Sequence, residues 1–238
     1  MSNKPFQFKQ FTIQQNKTAM KVGTDGVLLA AWVNLPKETN SILDVGSGTG
    51  LIALMMAQRS DAETLDAVEL NKEAYEQTVD NFENSNWADR LFCYHASFQQ
   101  FTEEMDEKYD FIISNPPFYT STFKNLPNNR AMARHAESLS FEDLLYGTSK
   151  LLNDKGECAF IIPFEEEVNF IEIAKSNSLF PKRITRVKGN EKSDIKRSLL
   201  QFSKEVKTIE IKELIIEITR HNYTEAYKNL VKDFYLKM

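Results

Sequence analysis

The chain has 238 residues, 42% hydrophobic and 26% charged, with 34 acidic side chains against 29 lysines and arginines and a net charge of −5. A core of useful size is therefore available, and the net negative charge runs against a nucleic-acid partner, whose phosphates prefer a basic surface. Met1 to Phe6 lacks an apolar signal core and no run approaches membrane-spanning length, so a cytoplasmic setting is expected.

In chain order, Thr24 or Asp25 is expected to cap a helix carrying Leu28, Leu29 and Trp32. An apolar strand near 41–45 then runs into Gly46-Ser47-Gly48-Thr49-Gly50, and the apolar Leu51 to Ala57 reads as the helix that follows. Glycine allows a tight turn and close approach of a ligand to the main chain, and the helix start presents free N–H groups. The third glycine comes one residue too early for the phosphate-binding dinucleotide pattern, residue 51 being Leu, and no Gly-Lys-Ser/Thr ending is present, so both that fingerprint and a P-loop are excluded. Asp44 stands where the chain enters the loop. The next strand, Thr64 to Val68, ends in Glu69, a carboxylate placed to accept both hydroxyls of a ribose.

Strands near 91–95 and 109–114 come next, with helical patterns between the first three strands. The fourth runs straight into Asn115-Pro116-Pro117-Phe118. The Asn side-chain oxygen can accept from an amine, each proline restricts itself and its predecessor, and Phe118 offers a face for stacking. Alone, this tetrapeptide also reads as a proline-rich turn. Here the glycine loop, the ribose carboxylate and the Asn-Pro-Pro-Phe stand after the first, second and fourth strands. In a doubly wound sheet those ends converge on one crevice.

The polar, Asn-rich stretch Tyr119 to Ser138 has the length of a lid or binding segment. Ser140 with Asp143 starts a helix reaching Leu152, and Gly156 precedes a strand, Ala159 to Ile162. Glu165-Glu166-Glu167 reads as a solvated helix start. Extended runs near 183–188 and 198–203 flank a basic loop as a hairpin. The alternating Thr208 to Ile218 and an amphipathic helix from Thr224 follow. Cys93 and Cys158 lie in apolar runs and read as buried, reduced thiols, while His95, His135 and His221 lack metal-ligand spacing, so no metal is expected. With no repeat or linker, a single domain over 1–238 and a monomer are expected.

On the glycine loop and Asn-Pro-Pro-Phe, the chain resembles the class I S-adenosylmethionine-dependent methyltransferases that act on amino nitrogens. Phe6-Gln7-Phe8-Lys9-Gln10-Phe11, Ala19 to Leu29, Tyr223-Thr224-Glu225-Ala226-Tyr227 and Phe234-Tyr235-Leu236 narrow the resemblance to the bacterial tRNA(Val) adenine-37 N6-methyltransferases. The resemblance implies an α/β, Rossmann-like fold: a mostly parallel seven-stranded sheet with an antiparallel C-terminal hairpin and helices on both faces. Residues 1–40 would close the cofactor site, 41–205 form the core, and 206–238 add a strand and helix.

The same resemblance implies S-adenosyl-L-methionine as cofactor. Asp44, Gly46, Ser47, Gly48, Gly50 and Asn115 would surround its methionine end, Glu69 with Leu70 would hold the ribose, and Lys21, Val22, Gly23 and Thr24 would close the site. Where such enzymes often carry Asp for the cofactor's adenine amine, this chain has Ser97, whose hydroxyl would serve with the Phe98 backbone N–H. Asn115 and the Pro116 carbonyl would accept from the N6 amine of adenine, with Pro117 and Phe118 completing the catalytic set. An adenine in a tRNA loop would be swung out of its stack to reach them.

For the RNA partner, the candidate contacts are Arg130 and Arg134 beside the pocket, where Lys124 and His135 also fall, and Lys182, Arg183, Arg186 and Lys188 in the basic hairpin. Rival readings are an rRNA guanine-N2 enzyme, a protein glutamine methyltransferase, or a non-catalytic RNA-binding relative. The short stretch before Asp44 leaves too little chain for the helical substrate domain usual in the glutamine enzymes.

Overall fold

The computed structural model describes residues 4–117 and 139–238. Phe118, Lys124, Arg130, Arg134 and His135 lie outside the described residues, as does the stretch read as a lid or binding segment.

Two short strands, β1 (Phe6–Gln7) and β2 (Thr12–Ile13), pair antiparallel and precede helix α1 (Thr24–Trp32). The alternating core follows as β3 (Ser41–Val45), α2 (Leu51–Arg59), β4 (Thr64–Glu69), α3 (Lys72–Glu83), β5 (Leu91–His95), α4 (Phe98–Glu104) and β6 (Tyr109–Ser114). The second half contains α5 (Phe141–Leu151), β7 (Leu152–Pro163), α6 (Glu167–Ser176), β8 (Phe180–Asn190), β9 (Ile195–Ser203), β10 (Glu210–Thr219), β11 (Asn222–Tyr223) and α7 (Glu225–Val231).

One sheet gathers nine of these strands in the order β11-β10-β8-β9-β7-β6-β3-β4-β5. The seven strands from β8 to β5 match the expected core, and β8 with β9 is the expected antiparallel hairpin. The expected count of seven is too low. The alternating stretch near 208–218 becomes β10, which joins the same sheet parallel to β8, and β11 then turns back antiparallel on it. The reason is the edge: β8 would otherwise expose a row of unpaired main-chain groups.

Both faces of the sheet are covered, which explains the continuous apolar runs in its central strands. Ile42, Phe111, Ile113 and Ile161 face one core cluster with α1 and α2, whereas Leu43, Ile112, Phe160 and Ile162 face the other with α4, α5 and α6. This is the two-residue period of a strand read on both sides. Phe8 stacks on Tyr235 at a centroid distance of 5.7 Å, so the N-terminal strands and the C-terminal segment pack together.

Two local expectations need correction. Helix α1 is capped by Gly23 without a side-chain bond, and Thr24 and Asp25 lie inside its first turn. Asp25 is instead drawn outward by Arg197, whose Nε donates to it at 2.8 Å. Glu167 is not solvated: it is 4% exposed, accepts from Arg186 Nε at 3.2 Å and Nη2 at 2.6 Å, and takes the Ser198 hydroxyl bond as well. The β8–β9 hairpin, remote in sequence, carries both partners over it. Ser140 and Thr224 do cap α5 and α7, accepting from the N–H groups of Asp143 at 3.0 Å and Tyr227 at 3.2 Å.

Candidate active site

The sheet changes direction between β3 and β6, with β4 and β5 on one side and β7 on the other. Parallel register sets Val45 level with Val68 and Ser114, and Glu69 level with His95. The residues that follow these strands therefore emerge along one edge. That edge, at a switch point, is where open α/β sheets bind ligands.

The glycine loop adopts a backbone closed to most side chains: φ is +75° at Gly46, +59° at Gly48 and +76° at Gly50. A Cβ on Gly46 or Gly48 would meet nothing within 4 Å, so open space lies beside the loop where a ligand's approach would be closest. Gly50 differs, because a Cβ there would fall 2.7 Å from the Phe82 ring.

Asp44 is 1% exposed; its Oδ2 accepts the Ala53 N–H at 3.2 Å, and its Oδ1 has no partner among the described residues. Burial pushes its carboxyl up to about 7 despite that hydrogen bond. Glu69 holds the loop from the next strand, with Oε2 accepting from Gly48 N–H and Oε1 from Asn71 N–H, both at 2.8 Å. Each carboxylate oxygen keeps a further lone pair, so the two ribose hydroxyls still have acceptors. Leu70 is exposed beyond it, and its carbonyl contacts His95 Nε2 at 3.1 Å.

Asn115 leaves β6 beside the loop. The Ser114 hydroxyl donates to the Val45 carbonyl at 2.7 Å and ties the two strand ends together. The Asn115 Oδ1 is buried and has no hydrogen-bond partner among the described residues, Pro116 is buried and Pro117 is exposed. Two adjacent strand ends thus each present a buried oxygen unpartnered among the described residues, Asp44 Oδ1 and Asn115 Oδ1. Such atoms are costly unless a ligand satisfies them.

Ser97 has a structural role beside its expected one. It caps α4 in a reciprocal box with Gln100, its Oγ donating to Gln100 Oε1 at 2.9 Å and accepting from Gln100 N–H at 3.2 Å. The hydroxyl proton is thus committed, and one lone pair of the oxygen is left to accept from an amine. Phe98, buried as the first residue of that helix, supplies a first-turn N–H. Lys21 is also engaged: its Nζ donates to the carbonyls of Gln15 and Thr18, at 2.5 and 2.7 Å. The Lys21–Thr24 segment is pinned by Gln15, whose Oε1 accepts the Val22 N–H at 2.9 Å.

Residues not singled out from the sequence lock the loop from α3. Thr78 Oγ1 donates to Gly48 O at 3.1 Å, and Asn81 Nδ2 donates to both Gln14 O and Thr49 O. Gln77 accepts the Lys17 N–H at 3.1 Å, joining the N-terminal segment to the same helix. Their signal was available: Gln77, Thr78 and Asn81 are polar residues at the helical spacing set by the buried Ala74 and Phe82.

The Methyltransferase small domain family matches residues 18–159. A tRNA1(Val) (adenine(37)-N6)-methyltransferase of Christiangramia forsetii is 58% identical over the full length of both chains. The chain belongs to that methyltransferase family. The Flavobacterium johnsoniae relative with the same description is 55% identical, over 98% of this chain and all of its own. Among solved structures, a predicted O-methyltransferase from Agrobacterium tumefaciens superposes with a TM-score of 0.69 at 20% identity, covering 88% of this chain and 96% of its own. At that identity the likeness concerns the fold, and it is the Rossmann-like class I methyltransferase fold.

Against this family frame, the basic residues of the hairpin are largely spoken for. Lys182 pairs with the buried Glu157 at 2.6 Å, Arg186 with Glu167 at 2.6 Å, and Lys188 with Glu213 at 3.0 Å. Arg183 lies 4.3 Å over the Trp32 ring and donates to the Trp32 carbonyl at 2.8 Å. Their charge was legible in the sequence, whereas their internal partners come from β7, α6, β10 and α1. Lys192 and Lys196, at the hairpin turn, are exposed.

Proposed function

We propose that the chain transfers a methyl group from S-adenosylmethionine to the N6 amine of adenine 37 in valine tRNA, in the cytoplasm and as a single methyltransferase domain. The observation that carries the chemistry is the buried Oδ1 of Asn115 beside the glycine loop, unpartnered among the described residues. The choice of nucleotide follows the full-length likeness to relatives so described. S-adenosylmethionine supplies, when bound, a methyl group on a sulfonium leaving group.

The residues present fit that cofactor. Asp44 offers an acceptor oxygen beneath the loop, Gly46 and Gly48 leave room for close approach, and Glu69 offers two oxygens to a ribose. Asn115 Oδ1 and the Pro116 carbonyl accept the two protons of the target amine. This removes the amine from its planar conjugation and directs its lone pair towards the methyl group. The Asn115 backbone is held extended by the following proline, and Ser114 fixes its height against β3. Positioning of this kind replaces a dedicated general base, and the released proton passes to water.

The test is transfer of labelled methyl to unmodified valine tRNA, followed by digestion and mass identification of the nucleoside. N6-methyladenosine in the anticodon loop is the expected product. N2-methylguanosine in rRNA, or label in protein glutamine, would replace this reading with a rival one. Absence of cofactor binding in calorimetry would make the chain a non-catalytic relative.

A further inference from the structure

A cavity of about 420 Å³ lies between β1, the start of α1, the ends of β8 and β10, and the C-terminal segment. Its lining includes Phe6, Thr24, Glu217, Tyr223, Tyr227 and Tyr235, so it joins the two terminal motifs to the last residue of the segment expected to close the cofactor site. We infer that this cavity, on the proposed reading of the chain as an RNA methyltransferase, takes a second unstacked base of the same RNA, flanking the methylated adenine.

Position comes first. β8 and β10 run antiparallel to β9, which runs antiparallel to β7, so their C-terminal ends share the edge on which Asn115 lies. From β6 to β10 the sheet crosses β7, β9 and β8. Four steps of about 4.8 Å place the Glu217 wall of the cavity about 19 Å along the edge from the catalytic strand, while its Thr24 wall lies at the start of α1. A few nucleotides of unstacked strand span that distance.

The lining suits a base. Tyr223 is half-buried against the buried Tyr227 with centroids 5.2 Å apart, and Phe6 meets Tyr235 at 6.1 Å. Bases stack on such rings regardless of identity. Glu217 adds selectivity: Oε1 accepts the His221 N–H at 3.1 Å, which leaves acceptor capacity on the carboxylate for an imino or exocyclic amino group.

Aromatic rings around a carboxylate also suit a small organic cation. Two features favour the base. The volume falls in the range of pockets for whole small molecules rather than one ammonium group. Lys192, Lys196 and Arg220 are exposed along the surrounding edge, where they would meet the phosphates of a bound strand.

Methyl-transfer kinetics on the valine anticodon stem-loop, with each loop base removed in turn, test the inference in the full-length protein. Tyr223→Ala is expected to raise KM for RNA about tenfold while kcat and cofactor Kd stay unchanged. Glu217→Gln, which keeps volume and fold, is expected to raise it several-fold. One abasic position should raise KM for the wild-type protein and leave that of Tyr223→Ala unaffected. Unchanged KM in Glu217→Gln and in folded Tyr223→Ala would overturn the pocket while leaving the functional reading intact. So would cavity fluorescence quenched by tetramethylammonium and not by nucleoside monophosphates. A wild-type protein that methylates no valine RNA would instead remove the functional reading, and the pocket with it.

Discussion

Asn115 and Asp44 occupy comparable places at the ends of adjacent strands, yet their chemistry separates them. Asn115 cannot ionise, so its free oxygen is an acceptor at any ordinary pH. Asn115→Ala should lower kcat by roughly 10²–10³-fold, the scale for losing one aligned hydrogen-bonding group, with cofactor Kd changed little. Equal loss of both in stopped-flow binding and turnover assays would assign it to cofactor binding alone. Asp44 retains its proton in the folded chain to about pH 7, against an ordinary value of 3.8. Folding therefore takes up a proton between those limits, and the associated stability falls as pH rises through 7. A shift of this size is on the order of 4 kcal/mol. Thermal melts of the protein without cofactor should decline across that window, and Asp44→Asn should flatten the decline. A cationic cofactor favours the ionised carboxylate, so its stabilising effect should grow over the same range.

At the scale of elements, the glycine loop and the α6 start show two ways in which distant chain sets local structure. Gly50 meets both a left-handed backbone and the Phe82 ring, whereas Gly48 meets the backbone constraint alone. Gly50→Ala should therefore cost more than Gly48→Ala, by about 1–3 kcal/mol for the added overlap. Chemical denaturation of the two variants, compared at equal slope, measures the difference. Glu167 joins α6 to the β8–β9 hairpin through Arg186 and Ser198. Glu167→Ala should destabilise by about 2 kcal/mol, because charge-assisted hydrogen bonds are lost while Arg186 remains able to reach water. A midpoint matching the wild type would mean that the pair is solvated in solution.

Over the whole molecule, a net charge of −5 and an RNA substrate are reconciled by where the unpaired cations lie. Lys182, Arg186 and Lys188 balance carboxylates within the fold, and Lys192 and Lys196 project from the hairpin turn at the site edge. The Lys192→Glu, Lys196→Glu pair should weaken RNA binding at low salt. It should also reduce the slope of log affinity against log salt by about 1.4, at ~0.7 for each single-strand phosphate contact. An unchanged slope across a salt series would place the RNA elsewhere.

The sequence by itself determined the alternating strands, the glycine loop, the carboxylate that ends β4 and the Asn-Pro-Pro that follows β6. Each of these is a local pattern whose backbone or hydrogen-bonding consequence is carried within a few residues. The hydroxyl capping of α5 and α7 by Ser140 and Thr224 was legible for the same reason. Only the tertiary structure decided that Thr78 and Asn81 lock the loop, that Gln77 and Asn81 tie the N-terminal segment to the same helix, and that Glu167 is buried against Arg186. It likewise decided that the strand after the hairpin extends the main sheet. Those outcomes depend on which surface the chain brings back after scores of residues. A polar side chain carries no record of its partner until packing has removed it from water and left one acceptor or donor within reach.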